Sequence, residues 1–477
     1  MNEDKNPLSL EADEMRKLGY QVIDQIVDHI TNLKDKKVLN TLPHAEMSKL
    51  IPSDIPKEGE DPEKLLQHLK QDVFSNILHS DHPRTFAFIP AASNYISVLA
   101  DTLAVGHNIF SGHWMSAASA AQVETVTINW LRQWCGFPEQ AGGLFVSGGS
   151  MANLMAVVTA KKIKVDNRKN GLVYFSQQTH SSVRKALRIL GFDSNQMRAI
   201  PVDDQFRMKT EELVFYIQKD QTDGLEPFCI IGNAGTTNTG AVDPLPALAD
   251  IARRFDLWFH VDGAYGAAAV LSEKGQKLLT GMERADSITL DPHKWWFQPY
   301  EMGCLLVREK SHLKETFHVS AEYLVNPDER IEKEINYYDY GIQLTRSFRA
   351  LKLYTSLKVF GLNNFKKAVE RGIEAAEYLE QLLRQKEGWK IITPAQLGIL
   401  NVVFQPGKME DQVAGALAKT LSTKISEDGF AFILTTQLKG QTVLRMCPIH
   451  PGLTKEEIQI IIDKLDKLAR DFTRAKQ

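Results

Sequence analysis

Few features of this chain point away from an ordinary globular protein, and each absence narrows the reading. Only four cysteines occur in 477 residues, and Cys135, Cys229, Cys304 and Cys447 are too scattered for a CxxC pair or a zinc ligand set. They are expected to be reduced, mostly buried thiols of a cytoplasmic protein. No apolar run approaches the roughly 18 to 20 residues of a membrane span. The N-terminus, MNEDKNPLSLEADE, is acidic and lacks the apolar centre of a secretory signal. A net charge of −3 offers no basic surface for nucleic acid, so no nucleic-acid or membrane partner is expected. Repeats and low-complexity tracts are absent too, and the apolar fraction of 43% allows a large core.

What the chain does contain is a change of rhythm. Leu18, Val22, Ile26, Val27 and Ile30 recur at helical spacing, predicting an amphipathic helix over 12–34. A proline- and charge-rich connection and a helix over 62–77 follow. Such an arm, residues 1–80, cannot form a core alone and is expected to pack on another body such as a second subunit. A helix is predicted over 118–134; from Leu144 strands and helices then alternate. The strands fall at 144–146, 172–176, 197–202, 228–232, 257–261, 287–290 and 303–307. Wholly apolar strands alternating with helices predict an α/β unit with a mainly parallel sheet, over residues 81–348. Residues 318–336 are expected as a loop. The rest, residues 349–477, predicts a small α+β unit: helices 350–360 and 364–385, strands near 389–393, 400–405, 430–437 and 443–446, and a helix from 454.

Ligands of parallel sheets bind beyond the carboxyl ends of the strands, and the chemically interesting residues fall there. Ser147, Gly148, Gly149 and Ser150 join a strand to a helix, where free N–H groups and the helix dipole suit a phosphate, although such turns often merely end a strand. Asp262 ends one strand as either a structural cap or a partner for a pyridinium nitrogen. His180 precedes a helix, as a cap or as a ring that stacks on a ligand. Thr236 and Thr237 follow another strand. Lys294 sits in DPHKWW among tryptophans, where burial favours the neutral, nucleophilic amine that forms a Schiff base. The bland alternative is a solvated head on a packed stem.

In combination, FVSGGSMANL, THSSVRKA, NAGTTNTGAVD, HVDGAYG, DPHKWW and TRSFRALK resemble the pyridoxal 5′-phosphate-dependent group II amino-acid decarboxylases, of the aromatic-L-amino-acid type. The resemblance covers nearly the whole chain. It implies the aspartate aminotransferase-like fold (fold type I), a homodimer with the arm exchanged between subunits, and decarboxylation of an amino acid to an amine. It also implies that Lys294 anchors the cofactor, Asp262 pairs with the ring nitrogen, His180 stacks on the ring, and Thr237 and Ala264 touch it from the sheet side. Ser147, Gly148, Gly149, Ser150, Asp291 and His293 would surround the phosphate, with asparagine standing at the position of Asp291 in relatives. Tyr323 matches the tyrosine that protonates the substrate carbon. Phe88, Ile89, Ala91, Trp114, Tyr300 and Thr345 correspond to substrate-pocket positions and favour an aromatic amino acid. Acidic or diamino substrates, and an oxidative outcome yielding an aldehyde, stay open as alternatives.

Overall fold

The computed structural model describes residues 6–90, 92–165, 171–319 and 334–474. Tyr323 and Ala91 lie outside these residues, as does most of the loop expected over 318–336.

A seven-stranded sheet forms the centre. Its strands are β1 (Gly142–Val146), β2 (Gly171–Ser176), β3 (Met197–Ile200), β4 (Glu226–Asn233), β5 (Trp258–Asp262), β6 (Ser287–Leu290) and β7 (Gly303–Val307), in spatial order β1-β7-β6-β5-β4-β2-β3. Every residue of β1, β2, β5, β6 and β7 is buried, because helices cover both faces. One apolar cluster lies on each face of the sheet. The sheet is mainly parallel, with β7 running against its neighbours β1 and β6. Parallel crossovers are usually made through a helix; β6 instead returns directly as β7. The returning loop carries Lys294.

A second, antiparallel sheet of four strands, β8 (Trp389–Gln396), β9 (Ile399–Phe404), β10 (Leu434–Leu438) and β11 (Gln441–Met446), has the order β10-β11-β9-β8. Helix Lys455–Arg474 buries Ile458, Ile461, Ile462, Leu465 and Ala469, a stripe at helical spacing, against this layer.

Three local expectations need correction. The helices expected over 350–360 and 364–385 form one element, Ala350–Arg384, bent where Gly361 takes φ +71°. Leu353, Val369 and Ile373 on this element lie in the core of the large sheet, while Ala376, Leu379 and Leu383 nearer its end pack on the small one. The strand expected from 430 begins at Leu434, and the helix expected over 62–77 is Pro62–His68 followed by a wider turn, Leu69–Val73. In the arm, helix Ala12–Thr31 has no buried residue.

One buried ion pair ties the layers together. Arg346 Nη2 donates to Glu124 Oε1 at 2.6 Å and to the Phe145 carbonyl at 2.9 Å, with side chains 2% and 0% exposed. Arg346→Met leaves the Glu124 carboxylate buried without its cation, so a loss of about 3–5 kcal/mol is expected in urea unfolding. A loss below about 1 kcal/mol would show that the pair does not hold these layers.

Candidate active site

The carboxyl ends of β1, β2, β4, β5 and β6 surround a cavity of about 420 Å³. Ser147, Gly148, Gly149, Ser150, His180, Thr236, Thr237, Asp262, Ala264, Asp291, His293 and Lys294 all line it. These residues come from separate stretches of sequence and meet because parallel strands end on one side.

Helix Gly149–Lys164 starts directly after the β1 turn. A side chain at Gly149 would begin 2.8 Å from Asp291 Oδ2 and 3.0 Å from Ala264 Cβ, and one at Gly148 would begin 3.2 Å from His293 Cε1. The two glycines therefore let backbone come close to the cavity, with the helix N-terminus aimed into it.

Asp262, the last residue of β5, is 7% exposed. Its Oδ2 accepts from Asn153 Nδ2 at 2.9 Å and its Oδ1 from the Ala264 N–H at 3.2 Å. Behind it runs a relay: Trp258 Nε1 donates to Ser287 Oγ, Ser287 meets His260 Nδ1, and His260 Nε2 meets Asn153 Oδ1, at 2.8, 2.8 and 3.0 Å. Burial pushes His260 down to about 4, so its ring is neutral at neutral pH and bears one hydrogen. With that hydrogen on Nε2, Asn153 is oriented to give its N–H groups to Asp262. Asn153 was missed in the sequence. The available signal was its position one helical turn beyond Gly149, together with the shared face of His260 and Asp262 on β5.

His180 is the helix cap that the sequence allowed, and its ring is also at the cavity. It caps helix Ser181–Ile189, its Nδ1 accepting the Ser182 N–H at 3.2 Å, and it also lines the cavity. Ser182 Oγ lies 2.9 Å from the same nitrogen and accepts from Asn153 at 3.1 Å, so the His180 ring and the Asp262 carboxylate share one support. Partial burial lowers the His180 pKa despite the opposing pull of Asp262.

The charge on Lys294 departs from expectation. Burial opposes the ammonium, yet Asp291 outweighs it, by attraction and by a 2.8 Å hydrogen bond from Nζ, with Asp262 adding to the effect; the pKa is raised. The tryptophans do not wrap the amine: Trp295 and Trp296 are 0% and 1% exposed within the core, and Trp295 stacks on Tyr265 at 5.3 Å. His293 bonds to Met302 through Nδ1, and burial, followed by the charge of Lys294, pushes it down to about 4.

Arg445, on β11, was also missed. It is 6% exposed and donates to the carbonyls of Thr237 and Phe88, both at 2.6 Å, joining the small sheet to the cavity wall. Tyr265 makes a second link, its hydroxyl accepting the Gly398 N–H at 2.8 Å.

Among the described residues, those expected in the substrate pocket do not line this cavity. Phe88 and Tyr300 are 58% and 57% exposed, the former beside Phe432 and the latter beside His293. Thr345 is exposed, Ile89 is buried in the core, and Trp114 is partly buried against the other core cluster. Among the described residues, His29, His79 and Asp81 have metal-ligand spacing. There, Lys36 Nζ donates to His29 Nδ1 at 2.9 Å, leaving His29 Nε2 to donate to Asp81 at 2.8 Å, which makes a hydrogen-bond relay rather than a set of free donors.

A lysine nucleophile, an oriented carboxylate and a glycine-lined helix start fit the aldehyde, ring nitrogen and phosphate of pyridoxal phosphate. Fold and site together define a fold type I pyridoxal-phosphate enzyme. The chain matches the family model "Pyridoxal-dependent decarboxylase conserved domain" over residues 43–406. It is 46% identical to an aromatic-L-amino-acid decarboxylase of Bacillus atrophaeus over 468 residues, 98% of each chain. A phenylacetaldehyde synthase of Arabidopsis thaliana is 29% identical over 94% of each chain. The crystal structure of Oryza sativa TDC with PLP and tryptamine superposes with a TM-score of 0.93 at 25% identity, covering 98% of this chain and 99% of that one. This chain belongs to the pyridoxal-dependent decarboxylase family and is a pyridoxal-phosphate-dependent amino-acid decarboxylase.

Proposed function

We propose that this protein converts an aromatic L-amino acid into its amine and carbon dioxide, as a cytoplasmic homodimer. The observation that carries this reading is the meeting in one cavity of Lys294, the oriented Asp262 carboxylate, the His180 ring and the glycine turn. The 46% identity to a decarboxylase of aromatic amino acids supports the substrate class. For the dimer, support lies in the arm: Tyr20, Val22, Val27 and Ile30 expose apolar surface that a second subunit would cover. In this reading residues 1–80 are the exchanged arm, 81–348 the cofactor-binding unit and 349–477 the small unit. The exposed Phe88 and Tyr300 then join Ile89, Ala91, Trp114 and Thr345 in a substrate pocket completed between subunits.

Pyridoxal phosphate, when bound, supplies an electron sink for the bond broken at the substrate Cα. Lys294 Nζ would be the group that holds the cofactor aldehyde covalently. Asp262 keeps a proton on the ring nitrogen, and Asn153 keeps Asp262 aimed. His180 would pack on the ring, Thr237 and Ala264 would flank it, and Ser147, Gly148, Gly149, Ser150, Asp291 and His293 would hold the phosphate. Tyr323 returns a proton to Cα after carbon dioxide leaves.

A screen of the common amino acids for carbon dioxide, amine and aldehyde tests the reading. Release of amine and carbon dioxide in equal amounts from phenylalanine, tyrosine, dihydroxyphenylalanine or tryptophan is expected. The aldehyde synthase among the relatives makes the aldehyde assay the informative control, since aldehyde as main product would overturn simple decarboxylation. Tyr323→Phe is expected to keep the cofactor and lose amine formation by about 10²–10⁴-fold. Undiminished amine output would remove Tyr323 from the mechanism.

A further inference from the structure

Asp291 is a carboxyl group where an anion is due to bind. It is 5% exposed, and its Oδ2 faces the first turn of helix Gly149–Lys164, 2.8 Å from where a Gly149 side chain would start. Its Oδ1 is buried with no hydrogen-bond partner among the described residues. The cation opposite is Lys294 Nζ at 2.8 Å, the atom that forms the covalent bond to the cofactor. A nitrogen bonded to the cofactor aldehyde has fewer hydrogens to give Asp291, while a phosphate dianion approaches the same carboxyl.

We propose that Asp291 is a proton-carrying clamp: its carboxyl binds the cofactor phosphate in the acid form, donating O–H to a phosphate oxygen, so cofactor binding takes up a proton. This rests on the reading that Ser147–Ser150 hold the phosphate. A phosphate monoester is largely dianionic at neutral pH, and a carboxylate beside it repels, whereas a protonated carboxyl makes a charge-assisted hydrogen bond. The groups facing Asp291 are Lys294, His293 and Tyr300 on its own loop, Asp262 at the end of β5, His180 beyond β2, Cys304 on β7 and the Gly149 N–H. Burial already pushes Asp291 up to about 6 against the opposing pull of Lys294, so the proton is within reach near neutrality. The N–H groups of the helix start stabilise the phosphate but offer no proton that can be transferred.

The sign follows from linkage. Because the bound form holds one more proton on Asp291, affinity is greatest at low pH and falls by up to about tenfold per pH unit above about 6. The test is the dissociation constant of pyridoxal phosphate, measured from about pH 6 to pH 9 on the full-length protein stripped of cofactor, for the wild type and Asp291→Asn. Proton changes on the phosphate itself are common to both proteins and cancel in the ratio; the contribution of Lys294, whose pKa Asp291 raises, is removed by repeating the comparison with Lys294→Ala in both proteins, where the same slope is expected. The expected result is a ratio that rises with pH in favour of Asp291→Asn. A ratio independent of pH, including a uniform loss from disturbed packing, overturns the proposal. Should the asparagine variant fail to fold, Asp291→Ser removes the same carboxyl and is judged by the same slope. Failure of the wild type to bind pyridoxal phosphate at any pH would instead sink the underlying site reading.

Discussion

Lys294→Ala is expected to abolish the visible absorbance of covalently held pyridoxal phosphate and to lower kcat on the order of 10⁵-fold or more, the scale of deleting a covalent nucleophile. The reason is local. Lys294 Nζ lies in the cavity between the carboxylates of Asp291 and Asp262, and no other lysine lines that cavity among the described residues. Alanine leaves the loop intact, since the Lys294 N–H bond to the Asp291 carbonyl at 2.9 Å uses backbone atoms alone. Folding and phosphate binding should survive while the covalent link disappears. Absorbance after exhaustive dialysis is the decisive measurement, and a band that persists in the variant would move the anchor to another residue.

The second large effect is expected at Asp262. Asp262→Asn keeps the shape of the side chain and removes its charge, so the ring nitrogen of the cofactor loses the anion that holds its proton. A fall in kcat of about 10²–10³-fold is expected, with the cofactor still bound, which is the usual cost of losing one oriented electrostatic partner. A pure packing role would instead weaken cofactor binding and leave kcat of the loaded enzyme near its original value. Asn153 makes the prediction sharper. Its Nδ2 donates to Asp262 Oδ2 at 2.9 Å, and an amide in place of the carboxylate would turn either an acceptor or a competing donor toward it.

Much of the site was legible from local pattern. Apolar runs such as LWFHV mark buried strands, and the polar residue ending each run had to fall at the edge of the sheet, as Asp262, Ser147 and Lys294 do. The relay behind Asp262 was not legible. Asn153 and Asp262 are separated by 109 residues and Asn153 and Thr289 by 136, and no periodicity links positions so far apart. The setting of the Lys294 amine was not legible for a related reason. Its sequence neighbours Trp295 and Trp296 suggested an apolar setting, but those rings enter the core while the amine turns toward Asp291. Phe88 and Tyr300, expected as pocket positions, remain largely exposed and do not line the cavity.

The sequence by itself determined the order of strands and helices, the strand ends where polar residues collect and the place of Lys294 just beyond one of them, because these depend on hydrophobic periodicity and short motifs within a few residues. Tertiary structure alone decided that β7 runs antiparallel, that one helix serves both cores, that Asn153 aims Asp262, and that Lys294 Nζ meets the Asp291 carboxyl. Each of these depends on contacts between residues distant in the chain, and the charge of a buried group is set by what folding brings to within a few ångströms of it.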